Sequence, residues 1–102
     1  VYAKDGATRG ALARGDMDSP LGMPRGITVG GNDIVYVVDA TNQVVRMFQK
    51  DSSGVPVYTN SFGDMGNGDG QFLYPNGVTT DTHGHVFVTD RQNNRVQVWI
   101  GR

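Results

Sequence analysis

The chain has 102 residues, with nine basic and ten acidic side chains and a formal charge of -1, a length at which a two-domain reading starts at a disadvantage. That balance supplies no broad positive field for capturing a polyanion, so nucleic-acid binding through bulk electrostatics is disfavoured. Cysteine is absent, which excludes a disulfide framework and a thiolate metal site, and no apolar run approaches the ~18 residues that a membrane-spanning helix needs.

Fourteen valines stand against three leucines, five alanines and two lysines, and there is no glutamate. Straight-chain helix formers are scarce while β-branched residues and glycine dominate, so the composition is that of an all-β protein. The sequence starts at Val1 without a methionine or a signal-like segment, from which we expect a piece of a longer chain or a processed product. It names no compartment.

In chain order, Val1 to Ala3 is a first short β run, and residues 4–19 carry little further pattern. Arg14-Gly15-Asp16 spells the tripeptide that adhesion receptors recognise, but three-residue matches are frequent by chance, and it reads as exposed connector. Residues 24–48 follow as PRGITVGGNDIVYVVDATNQVVRMF. Here Ile34 to Val38 is apolar at nearly every position, so both faces of that strand need cover. The run Val55 to Phe62 precedes the glycine-rich stretch FGDMGNGDGQFLYPNGV, residues 62–78. Beyond it, strands are expected at Gly77 to Thr80, His85 to Thr89 and Arg95 to Ile100, with turns at 81–84 and 90–94 between them.

Shifting the chain by 51 positions superposes residues 24–48 on 75–99 without a gap. Identical pairs include Pro24 with Pro75, Gly26 with Gly77, Asp39 with Asp90, Asn42 with Asn93 and Val45 with Val96. Chemically matched pairs are Ile27 with Val78, Tyr36 with Phe87 and Phe48 with Trp99. A repeat at this period signals an array of supersecondary units, which divides the chain into a first unit, 1–54, with a degenerate start, and a second, 55–102. Four-stranded antiparallel sheets stacked face to face around an axis cover both faces of such strands, and that stack is a β-propeller.

The second unit resembles the NHL repeat. Its Phe62-Gly63, Gly66, Gly68, Gly70-Gln71-Phe72, Pro75, Gly77-Val78, Asp81, Gly84, Val86, Val88, Asp90, Asn93 and Arg95-Val96-Gln97-Val98 follow that family's pattern almost throughout. The resemblance implies about two four-stranded blades of an incomplete propeller ring. It also implies a mostly noncatalytic docking function for proteins, RNA or small ligands, with metal-dependent lyases and lactonase-like enzymes as a minority. Gly26, Asp39, Asn42, Gly77, Asp90, Asn93 and Arg95 are the structural residues of the repeat. In the first unit Val44 stands at the arginine position, so the role of that arginine is carried to Arg95 alone, and residues 30–33 replace the usual turn.

The glycine stretch lacks the helix and lysine of a phosphate cradle and the carboxylate spacing and closing glutamate of an EF-hand, so it reads as a connector between blades. His83 and His85 form an H-x-H pair, but no cysteine or further histidine exists to complete a metal site. Asp39 and Asp90, each three residues before an asparagine, occur in both units, which favours scaffold over chemistry. Tyr36, Phe48, Phe87 and Trp99 are expected in packing between blades.

These readings place no catalytic residue, no metal and no cofactor in the chain. They put a partner-binding face on the connector end of the strands, at Met23, Arg25, Tyr74, Asn76 and Arg91, with a protein as the expected partner. Alternatives are a segment of a metal-dependent lyase or lactonase-like propeller whose site lies mostly in other blades, or an RNA-binding propeller. Two blades cannot wind round an axis, so further blades of a longer chain or self-association are expected to close the ring, three copies giving six blades.

Overall fold

In a computed structural model the described residues are 21–31, 33–52 and 54–100; Val1 to Ala3 and the Arg14-Gly15-Asp16 tripeptide lie outside them. Among the described residues seven strands form two antiparallel sheets. The first sheet is β1 (Pro24–Val29), β2 (Ile34–Asp39), β3 (Val44–Lys50) and β4 (Pro56–Phe62), paired in that order. The second is β5 (Pro75–Thr80), β6 (His85–Asp90) and β7 (Arg95–Ile100), with a single 3-10 turn at Arg91–Asn93 before β7. The all-β architecture and the blade-like meanders expected from the repeat are both present.

Turn chemistry sets the strand boundaries. Between β1 and β2, Asp33 takes a left-handed backbone (φ 60) and the Gly30 amide bonds the Ile34 carbonyl. Between β5 and β6, Asp81 Oδ1 accepts from the amides of His83 and His85 at 2.9 Å each, and Gly84 carries φ 83. The side chain of a short acid thus replaces backbone partners that the tight turn cannot supply. Gln43 (φ 61) and Asn94 (φ 54), which the repeat makes equivalent, both turn left-handed just before the third strand of their sheets.

One strand is placed differently from the sequence reading. The run ending at Phe62, assigned there to the start of the second unit, pairs with β3 from Val45↔Phe62 to Lys50↔Pro56 and is the outer strand of the first sheet. Strand propensity identifies a strand but not its neighbour; here a turn at residues 51–55, where the Asp51 amide bonds the Val55 carbonyl and Gly54 carries φ 85, folds β4 straight back onto β3.

The sheets stack face to face. Ile34, Tyr36, Val38 and Val45 on the near side of the first sheet form one core with Phe72, Val86 and Val88, against which Met47, Phe62, Val78 and Trp99 also pack. On the far side of the first sheet, Val35, Val37 and Phe48 cluster with Leu21 and Tyr58. Every residue of β2 is therefore buried, as its unbroken apolar run requires. The four matched aromatics do not share one interface: Tyr36 and Trp99 lie in the shared core, whereas Phe48 meets Tyr58 edge-on (centroids 5.9 Å) and Phe87 is half-buried on the far side of the second sheet.

The first strands of the two sheets approach most closely at a glycine. A Cβ added to Gly26 would lie 2.7 Å from the Asn76 carbonyl oxygen and 3.1 Å from Gly77 Cα, so any larger residue would push β1 off β5. All strand ends at residues 24, 39, 44, 62, 75, 90 and 95 fall at one end of the stack because neighbouring strands are antiparallel. That is the connector end.

Candidate partner-binding face at the connector end

Each sheet carries one fully buried carboxylate at its connector end. Asp90 Oδ1 accepts from the Leu73 amide (2.8 Å), while Oδ2 accepts from Asn93 Nδ2 (2.8 Å), Arg95 Nε (2.9 Å) and Gln97 Nε2 (3.4 Å). Arg95 and Gln97 also reach the connector: Arg95 donates to the carbonyls of Gly68 (2.7 Å) and Gln71 (2.8 Å), and Gln97 to that of Gln71 (2.6 Å). The glycine-rich segment is therefore tied to the corner by side chains. Its amides are spent internally as well, Gly66 on the Phe72 carbonyl, Gly68 on Gln71 Oε1 and Gly70 on Gln97 Oε1. Amides committed in this way are not presented to an anion.

In the first sheet Asp39 Oδ1 accepts from the amides of Gly22 (3.1 Å) and Asn42 (3.3 Å), and Oδ2 from Asn42 Nδ2 (2.7 Å). Its cation is Arg46, whose Nε lies 3.3 Å from Asp39 Oδ2 with both side chains buried. This corrects the assignment of the arginine role to Arg95 alone. Arg46 is two residues beyond Val44 on β3, and alternate residues of a strand share a face, so the guanidinium arrives at the carboxylate from the position that Gln97 holds in the second sheet. The clue in the sequence was the parity of the spacing, which a match by position passes over.

Burial alone would push both carboxyls up. For Asp39 the Asn42 side chain and the amides of Asn42, Gly22 and Met23 outweigh it; for Asp90 the Asn93 side chain, the Leu73 amide and Arg95 do so, and both carboxyls are held below the usual carboxylate range. A carboxyl depressed on folding stabilises the native state above the unfolded pKa of about 3.9 and loses that contribution as pH falls through the folded value. Thermal unfolding followed by circular dichroism is therefore expected to give a midpoint that is level above about pH 5 and falls steadily below about pH 4.

The sequence-derived face lies around these corners. Arg25 Nε donates to Asn76 Oδ1 at 2.7 Å, joining repeat-equivalent positions of β1 and β5 across the two sheets. Arg25 also contacts Met23 Sδ at 3.7 Å. Tyr74, left-handed at φ 51, and Met23 are 46% and 49% exposed. Arg91 is exposed in the 3-10 turn, and the neighbouring Gln92 amide bonds the Leu73 carbonyl. All five residues thus occupy the connector end. Gln43, not singled out from the sequence, belongs with them: it is buried, and its Oε1 accepts from the Tyr74 amide at 2.6 Å, tying the corner of one sheet to the connector of the next.

Of the two histidines, His85 Nδ1 lies 2.7 Å from Asp81 Oδ2 at the opposite end of the sheet. No group of three metal-binding side chains occurs among the described residues. Nor is any helix among them long and apolar enough to cross a membrane.

The sequence pattern of the NHL repeat matches residues 72–99. The chain carries an NHL repeat. Proteins similar to it include E3 ubiquitin-protein ligase TRIM71 of Rattus norvegicus, 48% identical over 46 residues that make up 45% of this chain and 5% of that protein. Protein lin-41 of Caenorhabditis elegans is 41% identical over 54 residues, 53% of this chain and 4% of that protein. Protein brain tumor of Drosophila melanogaster is 29% identical over 87 residues, 83% of this chain and 8% of that protein. The chain thus spans less than a tenth of these relatives. Within the NHL repeat fall the whole Asp90–Asn93–Arg95–Gln97 corner and Phe72; the first sheet repeats the Asp–Asn part of that corner at Asp39 and Asn42.

Proposed function

We propose that residues 21–100 are two successive NHL blades, divided at the connector between Phe62 and Pro75, and that their connector end is a noncatalytic docking surface for a protein partner. The observation that carries this reading is the division of labour at that end. The buried acids Asp39 and Asp90 are saturated by their own corners, while Met23, Arg25, Tyr74, Asn76 and Arg91 stand around them, with the exposed members free to meet a partner. Exposed aromatic and arginine side chains on a backbone held by buried bonds suit a contact surface, because little conformational entropy is lost on binding.

We assign these residues no catalytic role, no metal and no cofactor; ligase activity is named for TRIM71, of which this chain matches 5%. The test is the triple substitution Arg25→Ala, Tyr74→Ala, Arg91→Ala, compared with wild type by affinity capture from cell extract with quantitative mass spectrometry. The expected outcome is a fold unchanged by circular dichroism and a loss of about tenfold or more in the captured protein, consistent with removal of more than ~1.4 kcal/mol of contact energy. Capture unaffected by all three changes would place the binding face elsewhere. Titration with labelled single-stranded RNA tests the nucleic-acid alternative on the same two proteins.

A further inference from the structure

Two residues at the connector end hold a backbone that their side chains make costly. Tyr74 has φ 51 and Gln43 has φ 61, a left-handed region in which Cβ crowds the following carbonyl and which glycine, asparagine and aspartate tolerate best. For Tyr74 the cost is compounded, because Pro75 follows and the residue before a proline is drawn to extended backbone. Such strain persists only where the surroundings hold it, and it gathers at ligand clamps and binding sites.

The 51-residue repeat shows that the blade itself does not demand either arrangement. Asn94, the counterpart of Gln43, makes the same turn at φ 54 with a residue type that fits it. Met23, the counterpart of Tyr74, also precedes a proline, yet it is not left-handed, and its amide turns to its own sheet, 3.4 Å from Asp39 Oδ1. The Tyr74 amide turns instead to the other sheet and donates to Gln43 Oε1 at 2.6 Å. Gln43 is only 5% exposed, so this acceptor is shielded from water. The preceding peptide is fixed as well, the Leu73 amide on Asp90 Oδ1 (2.8 Å) and the Leu73 carbonyl on the Gln92 amide (3.1 Å). From this pinned backbone the Tyr74 side chain stands half exposed at the docking face.

We propose that Gln43 is a positioning residue for the docking face: its buried amide oxygen captures the Tyr74 amide, holds Tyr74 left-handed and thereby presets the exposed ring as an anchor for the protein partner. This rests on the docking function proposed above for the connector end. A ring held in place before the partner arrives removes an ordering cost from binding, and aromatic side chains on fixed backbone are preferred anchors of contact surfaces. The one carbon by which glutamine exceeds asparagine lets the corner of the first sheet set a side chain of the next.

Glycine against alanine at position 74 reports on the backbone without any partner, since both delete the ring and only alanine is penalised at positive φ. In the whole 102-residue protein, Tyr74→Gly is expected to unfold at a higher urea concentration than Tyr74→Ala. Gln43→Asn keeps a residue suited to the turn but falls one carbon short of the Tyr74 amide. In that background residue 74 is released to extended backbone, and the order of the two variants is expected to reverse. Gln43→Asn by itself is expected to keep the urea midpoint at or above that of wild type while reducing the protein captured from cell extract about tenfold, a loss that a merely structural role does not produce at undiminished stability. The same order of glycine and alanine in both backgrounds overturns the proposal. So does a reversed order in which Gln43→Asn captures as wild type does while the Arg25/Tyr74/Arg91 triple variant does not. A reversed order with capture undiminished in the triple variant instead removes the docking reading and leaves the hold of Gln43 on Tyr74 standing, so the two fail separately.

Discussion

Replacing Asp90 by alanine is expected to cost about 3–5 kcal/mol of unfolding free energy, a large share of the roughly 5–15 kcal/mol that holds an ordinary domain. The carboxylate is fully buried and its oxygens take bonds from Leu73, Asn93 and Arg95 at 2.8–2.9 Å. Its removal leaves the Leu73 amide and the Nε of a partly buried arginine without their acceptor, and an orphaned buried donor costs more than a bond contributes. The loss also spreads, because Arg95 and Gln97 hold the connector carbonyls at Gly68 and Gln71. Urea unfolding should show a lower midpoint with an unchanged slope. Asp90→Asn keeps an oxygen for the Leu73 amide and should cost less. Asp39→Ala should also cost less, since its arginine stands at 3.3 Å where Arg95 stands at 2.9 Å. A wild-type midpoint for Asp90→Ala would show that the corner is not what holds the blade together.

Phe72→Ala is expected to cost a similar ~3–5 kcal/mol through a different cause, the cavity left in a packed core. Phe72 has no exposed surface and belongs to the core that the two sheets share. Its ring lies 6.0 Å from that of Trp99, and it occupies the space where a Cβ on Gly63 would fall; Gly63 has φ 100. The readout is paired: a lower urea midpoint and a red-shifted Trp99 emission as water reaches the indole. Phe72→Leu nearly conserves volume and should cost under about 1.5 kcal/mol. If alanine and leucine behaved alike, the contact between the sheets would not depend on this ring.

The parts of the molecule that were readable in advance are those governed by local chemistry repeated twice. Valine-rich runs broken by Asp, Asn and Gly produced the strands and turns, and the Asp–x–x–Asn spacing produced the same bond, Asn Nδ2 to Asp Oδ2, in both sheets at 2.7 and 2.8 Å. The glycine-rich stretch was readable as a connector because none of the partners of an anion or calcium site accompanied it. Arg46 was missed because a cation can serve the same carboxylate from either of two positions on one strand face. Gln43 was missed because its partner is the amide of Tyr74, 31 residues away, and nothing in its neighbourhood marks that amide as unpaired.

The amino-acid sequence alone determined that this chain makes antiparallel strands in two homologous units and that each unit carries a structural Asp–x–x–Asn turn before its third strand, since each of these follows from residue types within a few positions of one another. Only the tertiary structure decided that β4 belongs to the first sheet, that Arg46 serves Asp39, and which faces are dry. Val96, Val98 and Ile100 read like any core strand, yet 57%, 57% and 80% of their surface is exposed, while Val45, the counterpart of Val96, is wholly buried by the neighbouring sheet. Hydrophobic pattern specifies that a surface prefers cover; which segment supplies the cover depends on contacts between residues far apart in the chain, and these exist only once the sheets have stacked.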